Sequence, residues 1–171
     1  GDPPQLQEAC VFDPDGDGPE TPRLAVRPLA GKLMTAGPYE VDLGRIALWT
    51  GNEWLATPNP PVLGYNNGGM TVFDPDEGGP HPPMLAIAGK FTAGPGKQGT
   101  LALWNNGPWI VKGTGNYQTQ FPQETVRLVV SRVGRGANEP PALIAASKPW
   151  SVGLGEIIRW NGDAWGVLGN G

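Results

Sequence analysis

Residues 101–109 run Leu-Ala-Leu-Trp-Asn-Asn-Gly-Pro-Trp, an apolar run that ends on a tryptophan, a short turn and a second tryptophan. Asparagine and glycine tolerate a positive φ, so the segment predicts two antiparallel strands joined by a tight hairpin. The same doublet recurs as Trp49/Trp54 and Trp160/Trp165, and successive doublets lie 55 and 56 positions apart. This period indicates three copies of one structural unit.

Each unit contains four short apolar runs, the second of which follows a proline. The runs are 9–12, 22–26, 45–49 and 54–56 in the first unit, 70–73, 83–87, 100–104 and 109–111 in the second, and 128–130, 141–145, 156–160 and 165–168 in the third. The 27 glycines and 20 prolines interrupt longer apolar stretches and leave almost no room for a helix. We predict an all-β chain whose residues 1–171 form one β-propeller module. Its three four-stranded blades would span about 8–57, 69–112 and 126–169.

Three segments of the second unit, residues 73–76, 83–94 and 101–109, resemble the kelch-like propeller repeats of bacterial extracellular proteins. Those repeats combine an acidic Phe-Asp loop, a Gly-x-Phe-Thr-x-Ala-Gly turn and a hairpin with two tryptophans. The resemblance implies a propeller fold and no fixed catalytic residues. The third unit departs from it, because residues 131–136 replace the acidic loop and 147–150 replace the phenylalanine-threonine turn.

The number of units predicts an assembly. Propellers close with about four to eight blades, so three blades leave two apolar end faces to be covered. The tail after Trp165 and the head before Phe12 together match the length of the connections between units. We therefore expect a homodimer in which two copies join head to tail and close a six-bladed ring. A fragment of a longer propeller chain and a subunit of an open-ended extracellular fibre are the alternatives.

Composition restricts the class of partner. The formal net charge of −4 argues against nucleic acid and against an anionic membrane surface, both of which favour basic patches. No apolar run is long enough for a transmembrane helix, so we expect no membrane insertion. A charged fraction of 16% with many glycines and prolines is typical of extracellular β-proteins, and we expect a secreted or extracellular protein.

One acidic motif has the chemistry of a cation loop. Asp13, Asp15 and Asp17 alternate with proline and glycine, and carboxylates in this arrangement can converge on a calcium ion. The glutamate that ends a twelve-residue calcium loop is missing, because Leu24 occupies its position. Calcium binding and a hairpin whose aspartates cap turns are both compatible with the motif.

The sequence offers little for catalysis. His81 is the only histidine and lies in a proline-bounded loop with no nucleophile nearby in the sequence, which favours a surface residue. Cys10 is the only cysteine, which excludes an internal disulfide and favours a small buried side chain. We therefore predict that the protein is not an enzyme.

Two roles remain open for the tryptophan hairpins. Tryptophans that recur at repeat spacing usually pack between neighbouring units. Aromatic rings beside asparagine can also form shallow sugar sites, and the candidate ligand residues are Trp49, Asn52, Trp54, Trp104, Asn106 and Trp109. We predict a non-catalytic module for binding or structural self-assembly, with a carbohydrate-binding propeller lectin as the alternative.

Overall fold

A computed structural model describes residues 6–15, 22–28, 35–36, 41–42, 46–63, 69–77, 79–92, 98–113, 125–132, 139–147 and 157–168. All regular elements among these residues are β-strands. Over the same ranges we find no helix with the length and apolar character needed to span a membrane.

Fifteen strands follow one another along the chain. They are β1 (Leu6–Phe12), β2 (Arg23–Pro28), β3 (Thr35–Ala36), β4 (Val41–Asp42), β5 (Ala47–Trp49), β6 (Trp54–Ala56), β7 (Val62–Leu63), β8 (Met70–Phe73), β9 (Met84–Thr92), β10 (Gln98–Trp104), β11 (Ile110–Lys112), β12 (Thr125–Ser131), β13 (Ala142–Ser147), β14 (Ile157–Trp160) and β15 (Trp165–Val167).

The strands form three antiparallel sheets of four strands each. Sheet 1 has the order β1-β2-β5-β6, sheet 2 contains β8-β9-β10-β11, and sheet 3 has the order β12-β13-β14-β15. Two features add to this pattern: β7 pairs with the far end of β9, and β3 and β4 form a separate hairpin within the first unit. The all-β prediction is confirmed, and the three four-stranded antiparallel sheets are consistent with blade-like units.

Tight hairpins join the third and fourth strands of each sheet. The residue two positions after the first tryptophan has a positive φ in every case: 101° at Gly51, 47° at Asn106 and 111° at Gly162. Glycine and asparagine adopt this conformation at the lowest cost, which explains why the three hairpins use only these two residue types there.

The strand register places one row of four apolar side chains across each sheet, which we call the tryptophan row. Row 1 is Val11, Leu24, Trp49 and Trp54; row 2 is Val72, Leu85, Trp104 and Trp109; row 3 is Val130, Leu143, Trp160 and Trp165. Residues opposite one another on neighbouring strands share a face of the sheet, so each row forms one strip. The order Val-Leu-Trp-Trp is the same in all three.

Rows 2 and 3 pack against the preceding sheet. Leu85 and Trp104 lie in one core with Phe12 and Leu48 of sheet 1, and the rings of Phe12 and Trp104 are 5.5 Å apart. Leu143, Trp160 and Trp165 of row 3 lie in a second core with Phe73, Leu103 and other residues of sheet 2. Sheet 2 is therefore buried on both faces, whereas sheets 1 and 3 each use one face for these cores.

The sheets approach each other through their first strands. β8 contacts both β1 and β12. Next to β8, a Cβ atom at Gly69 would collide with the backbone of Leu128 in β12, so this close approach requires glycine. First strands that converge in this way resemble the innermost strands of successive propeller blades.

The rows provide a matched pair of leucines for a stability test. We expect Leu85→Ala to lower the free energy of unfolding by about 2–5 kcal/mol, because it leaves a cavity between two sheets. Leu24→Ala, at the equivalent but partly exposed position, should cost about 1 kcal/mol. Urea denaturation at submicromolar chain concentration measures both values. Equal losses would contradict the assignment of sheet 2 as the central layer.

Candidate functional site

Row 1 is the open counterpart of two rows whose leucines are fully buried. Leu24 is 37% exposed, whereas Leu85 and Leu143 at the same position are each 0% exposed. Trp49 and Trp54 are half-buried, and their ring centroids lie 5.2 Å apart at 49°. Together with Val11 they form an apolar strip across the whole width of sheet 1 that no preceding sheet of this chain covers among the residues described.

Sheet 3 has an open face of a different kind. Val129, Ile144, Ile157 and Arg159 project from the side of sheet 3 that points away from sheet 2, and we call this set the end face. Val129 and Ile157 are exposed, and the other two are half-buried. The corresponding surfaces of sheets 1 and 2 are buried under the tryptophan row of the next sheet.

Row 1 and the end face correspond to the two surfaces that meet wherever two sheets of this chain pack together. Between sheets 1 and 2, and again between sheets 2 and 3, a tryptophan row packs against the opposite face of its neighbour. Among the described residues, no sheet packs on row 1 and no tryptophan row packs on the end face. A contact between them would repeat an arrangement that the chain already makes twice.

The six candidate ligand residues do not come together in one site. Trp49, Asn52 and Trp54 belong to the hairpin of sheet 1, and the other three belong to the hairpin of sheet 2. Trp104 is buried and packs between the two sheets, with its ring 5.8 Å from that of Trp109 at 22°. Within the described ranges the buried indole N–H of Trp104 donates no hydrogen bond, so this residue contributes mainly through packing.

A groove of about 580 Å³ lies beside the hairpin of sheet 2. Asn59 and Pro61, which follow sheet 1, line one part of it, and Asn106, Pro108 and Trp109 line another. It brings two candidate ligand residues to one surface. The exposed side-chain amides of Asn59 and Asn106 give the groove donors and acceptors for a neutral polar ligand, and the half-buried indole of Trp109 adds apolar surface.

The same hairpin links sheets 1 and 2. Asn105 Nδ2 donates hydrogen bonds to the carbonyl oxygens of Pro14 at 3.0 Å and Pro83 at 2.7 Å. Arg23 Nη1 donates to Asn106 Oδ1 at 3.1 Å. The side-chain amides of Asn105 and Asn106 thus connect the sheets at the end where the hairpins lie. The sequence does not single out Asn105, because only the structure brings it next to Pro14.

An ion pair links sheets 2 and 3. The guanidinium of Arg132, at the end of sheet 3's first strand, forms an ion pair with Glu77 and donates from Nε to Oε1 at 2.7 Å. Both side chains are well exposed, so the pair contributes at most about 1 kcal/mol. In the first two units an aspartate, Asp13 or Asp74, occupies the position of Arg132. The loss of the acidic motif in the third unit therefore creates a contact between sheets.

The acidic loop of the second unit is a turn that caps itself. Asp74 Oδ1 accepts hydrogen bonds from the backbone N–H groups of Asp76 at 3.1 Å and Glu77 at 2.8 Å. Asp76 Oδ2 accepts from the backbone N–H of the exposed His81 at 3.0 Å. These carboxylates fulfil the role of turn capping that the sequence allows as one interpretation.

The loop of the first unit contains the three aspartates for which calcium binding is predicted. Asp13 and Asp15 are half-buried, and Asp17 lies outside the described residues. No group of three possible metal ligands occurs in the part of the chain that the structure describes. Calcium binding by the three aspartates stays a prediction. Cys10, in the adjoining strand, is half-buried at the margin of the core between sheets 1 and 2.

Comparison with known proteins gives no relative: no protein-family model, no curated protein and no solved structure matches the chain. The similarity to kelch-like repeats therefore stays a prediction from the sequence.

Removal of the Asn105 amide tests its structural role. We expect Asn105→Ala to destabilise the fold by about 1–3 kcal/mol, because two carbonyl oxygens between the sheets lose their donor. Asn52→Ala, in the exposed hairpin of sheet 1, is the matched control and should change stability by less than about 0.5 kcal/mol. Thermal and urea unfolding measure both. A neutral Asn105→Ala variant would show that the hydrogen bonds do not hold the sheets together.

Proposed function

We propose that the protein is a non-catalytic β-propeller module that assembles with a second copy of itself. In this assembly the tryptophan row of sheet 1 in each copy packs on the end face of sheet 3 in the other. Two sets of three sheets then complete a six-bladed ring with twofold symmetry. The proposal rests on the exposure of Leu24, whose two equivalents are fully buried beneath a neighbouring sheet.

The hydrophobic effect supplies the driving force. Full burial of a large apolar side chain stabilises a contact by about 1.5–3 kcal/mol, and row 1 offers Leu24 and two tryptophans that are only partly covered. Association costs translational and rotational freedom, about 4–15 kcal/mol. A ring of two copies forms two contacts for one such cost, whereas a fibre gains one contact with each added copy. This difference favours the closed dimer.

A six-bladed ring also suits the shape of the sheets. Twisted sheets that meet at their first strands form a wedge, and rings of about four to eight such sheets close. The proposed role of the ring is binding or structural scaffolding outside the cell, for which the low charged fraction of 16% is the support. Catalysis is not part of the proposal.

Solution mass tests the assembly. We expect the wild-type protein at micromolar concentration to have twice the 18.0 kDa mass of one chain. Val11→Asp on row 1 and Ile157→Asp on the end face should each give a monomer, because a carboxylate would be buried without a partner. Val167→Asp is the matched control: Val167 is 66% exposed, as is Val11, but lies on the outermost strand of sheet 3. It should remain a dimer. Light scattering provides the mass.

Mixing the variants reveals the geometry of the contact. In a head-to-tail ring, Val11→Asp and Ile157→Asp chains retain one intact contact when combined, so the mixture should have a higher average mass than either variant alone. A symmetric contact between two copies of row 1 would leave Ile157→Asp dimeric. A wild-type monomer at all concentrations would refute the ring.

Glycan binding is a second candidate function, favoured by the groove that contains Asn106 and Trp109. If the groove binds sugars, wild-type protein should give a signal on a glycan array that Asn106→Ala abolishes. Asn52→Ala should retain that signal, because the structure places Asn52 away from the groove. Unchanged thermal midpoints of both variants would exclude unfolding as the cause. Equal loss with the two variants would contradict this candidate.

A further inference from the structure

We infer that Arg159 of one copy lies against the paired rings of Trp49 and Trp54 of the other copy, in a cation–π contact at each closing interface. This inference rests on the proposed ring and adds the interaction that makes its closing contact specific.

The repeat fixes the position of Arg159. It directly precedes the first tryptophan of its unit, as Leu48 and Leu103 do in theirs. Leu48 is buried in the same core as Trp104, and Leu103 in the same core as Trp160. The residue at this position therefore packs with the tryptophan row of the next sheet. In the ring, the next sheet for Arg159 is sheet 1 of the partner copy.

The side chain of Arg159 is on the open side of sheet 3. Ile158 and Trp160, its neighbours in the strand, belong to the core shared with sheet 2, and side chains alternate between faces along a strand. Arg159 pairs with Ile144 on one side and Gly166 on the other. These three residues lie on the surface that a second copy would cover.

Gly166 leaves space beside the guanidinium. A Cβ atom at Gly166 would meet no heavy atom within 4 Å. The equivalent positions in sheets 1 and 2 hold Leu55 and Ile110, which fill the surface next to Leu48 and Leu103. In the third unit, the long cationic side chain of Arg159 therefore lies beside open space at Gly166. A large aromatic ring can fit in this space and contact the guanidinium.

The chemistry of the two surfaces is complementary. A guanidinium is planar, weakly hydrated and able to stack on an indole face, where the ring quadrupole attracts the cation. Trp49 and Trp54 are the only tryptophan doublet in which both rings remain partly exposed among the described residues. Their tilted arrangement presents two indoles to one approaching side chain.

Arginine also selects against a wrong partner. Two end faces brought together would place Arg159 of one copy near Arg159 of the other, and the exposed Arg127 adds positive charge to the same side of each sheet. Repulsion of this kind disfavours a symmetric contact through sheet 3. Row 1, which carries no positive charge, is the surface that accepts the end face.

A double-mutant cycle tests the contact. We expect Arg159→Ala to weaken dimerisation about tenfold, and Arg159→Lys to weaken it less, because a lysine retains the charge but not the planar stacking group. Arg159→Leu should preserve the dimer within a few-fold, because leucine occupies this position at both internal contacts. Lys112→Ala removes one positive charge from an exposed site on sheet 2 and is the control for net charge. It should leave the dimerisation constant unchanged.

Trp54→Leu completes the cycle. The effects of Arg159→Ala and Trp54→Leu on the dimerisation constant, measured by analytical ultracentrifugation, should fall short of additivity by at least about threefold. Additive effects in a dimeric protein would overturn the Arg159 contact and leave the ring standing. A wild-type protein that stays monomeric would overturn the ring, and the contact with it.

Discussion

The constraint on which this structure depends is that a sheet with two apolar faces needs two neighbours. Sheet 2 meets it, because Leu85 and Trp104 pack toward sheet 1 while Ala86 and Leu103 pack toward sheet 3. Sheets 1 and 3 each have one neighbouring sheet in the described part of the chain. The tryptophan row has the same order of side chains, Val-Leu-Trp-Trp, in every unit, so its exposure depends on position in the chain and not on a change in its chemistry.

The end face shows where the third unit departs from the others. Arg159 replaces a leucine, Gly166 replaces a branched aliphatic residue, and Ser131 stands where Phe12 and Phe73 stand in the first two units. In addition, Thr50 of sheet 1 occupies the position that Asn105 has in sheet 2. At the contact between sheets 1 and 2, the Asn105 amide bridges Pro14 and Pro83, and a contact between copies would lack such an amide. A contact between copies would therefore be more polar than the internal contacts, which suits an association that can be reversed.

Periodicity made much of the fold predictable. The spacing of the tryptophans and the Asn-Gly turns identified the three units, their four strands and their hairpins, because these depend on local sequence. The tryptophan row was not predicted, because Val11, Leu24 and Trp49 become neighbours only through strand pairing. The short strand β7 and the hairpin of β3 and β4 were not predicted either, because a strand of two residues is too short to show a hydrophobic pattern in the sequence. Among the candidate site residues, Trp104 is buried and Trp49 is half-buried. The sequence could not predict this difference, because it depends on which sheet packs against another.

The same geometry relates assembly to any binding function of sheet 1. Among the described residues no sheet precedes its hairpin, from Thr50 to Glu53, whereas Arg23 and Pro14 form hydrogen bonds with the hairpin of sheet 2. A ligand that stacks on Trp49 and Trp54 would occupy the surface that a second copy would need in the proposed ring. Binding at row 1 and ring closure would then exclude each other, while the groove beside Trp109 faces the connection between sheets 1 and 2 and would stay accessible in the ring. A ligand compatible with the assembled protein is therefore expected at the groove and not at the open row.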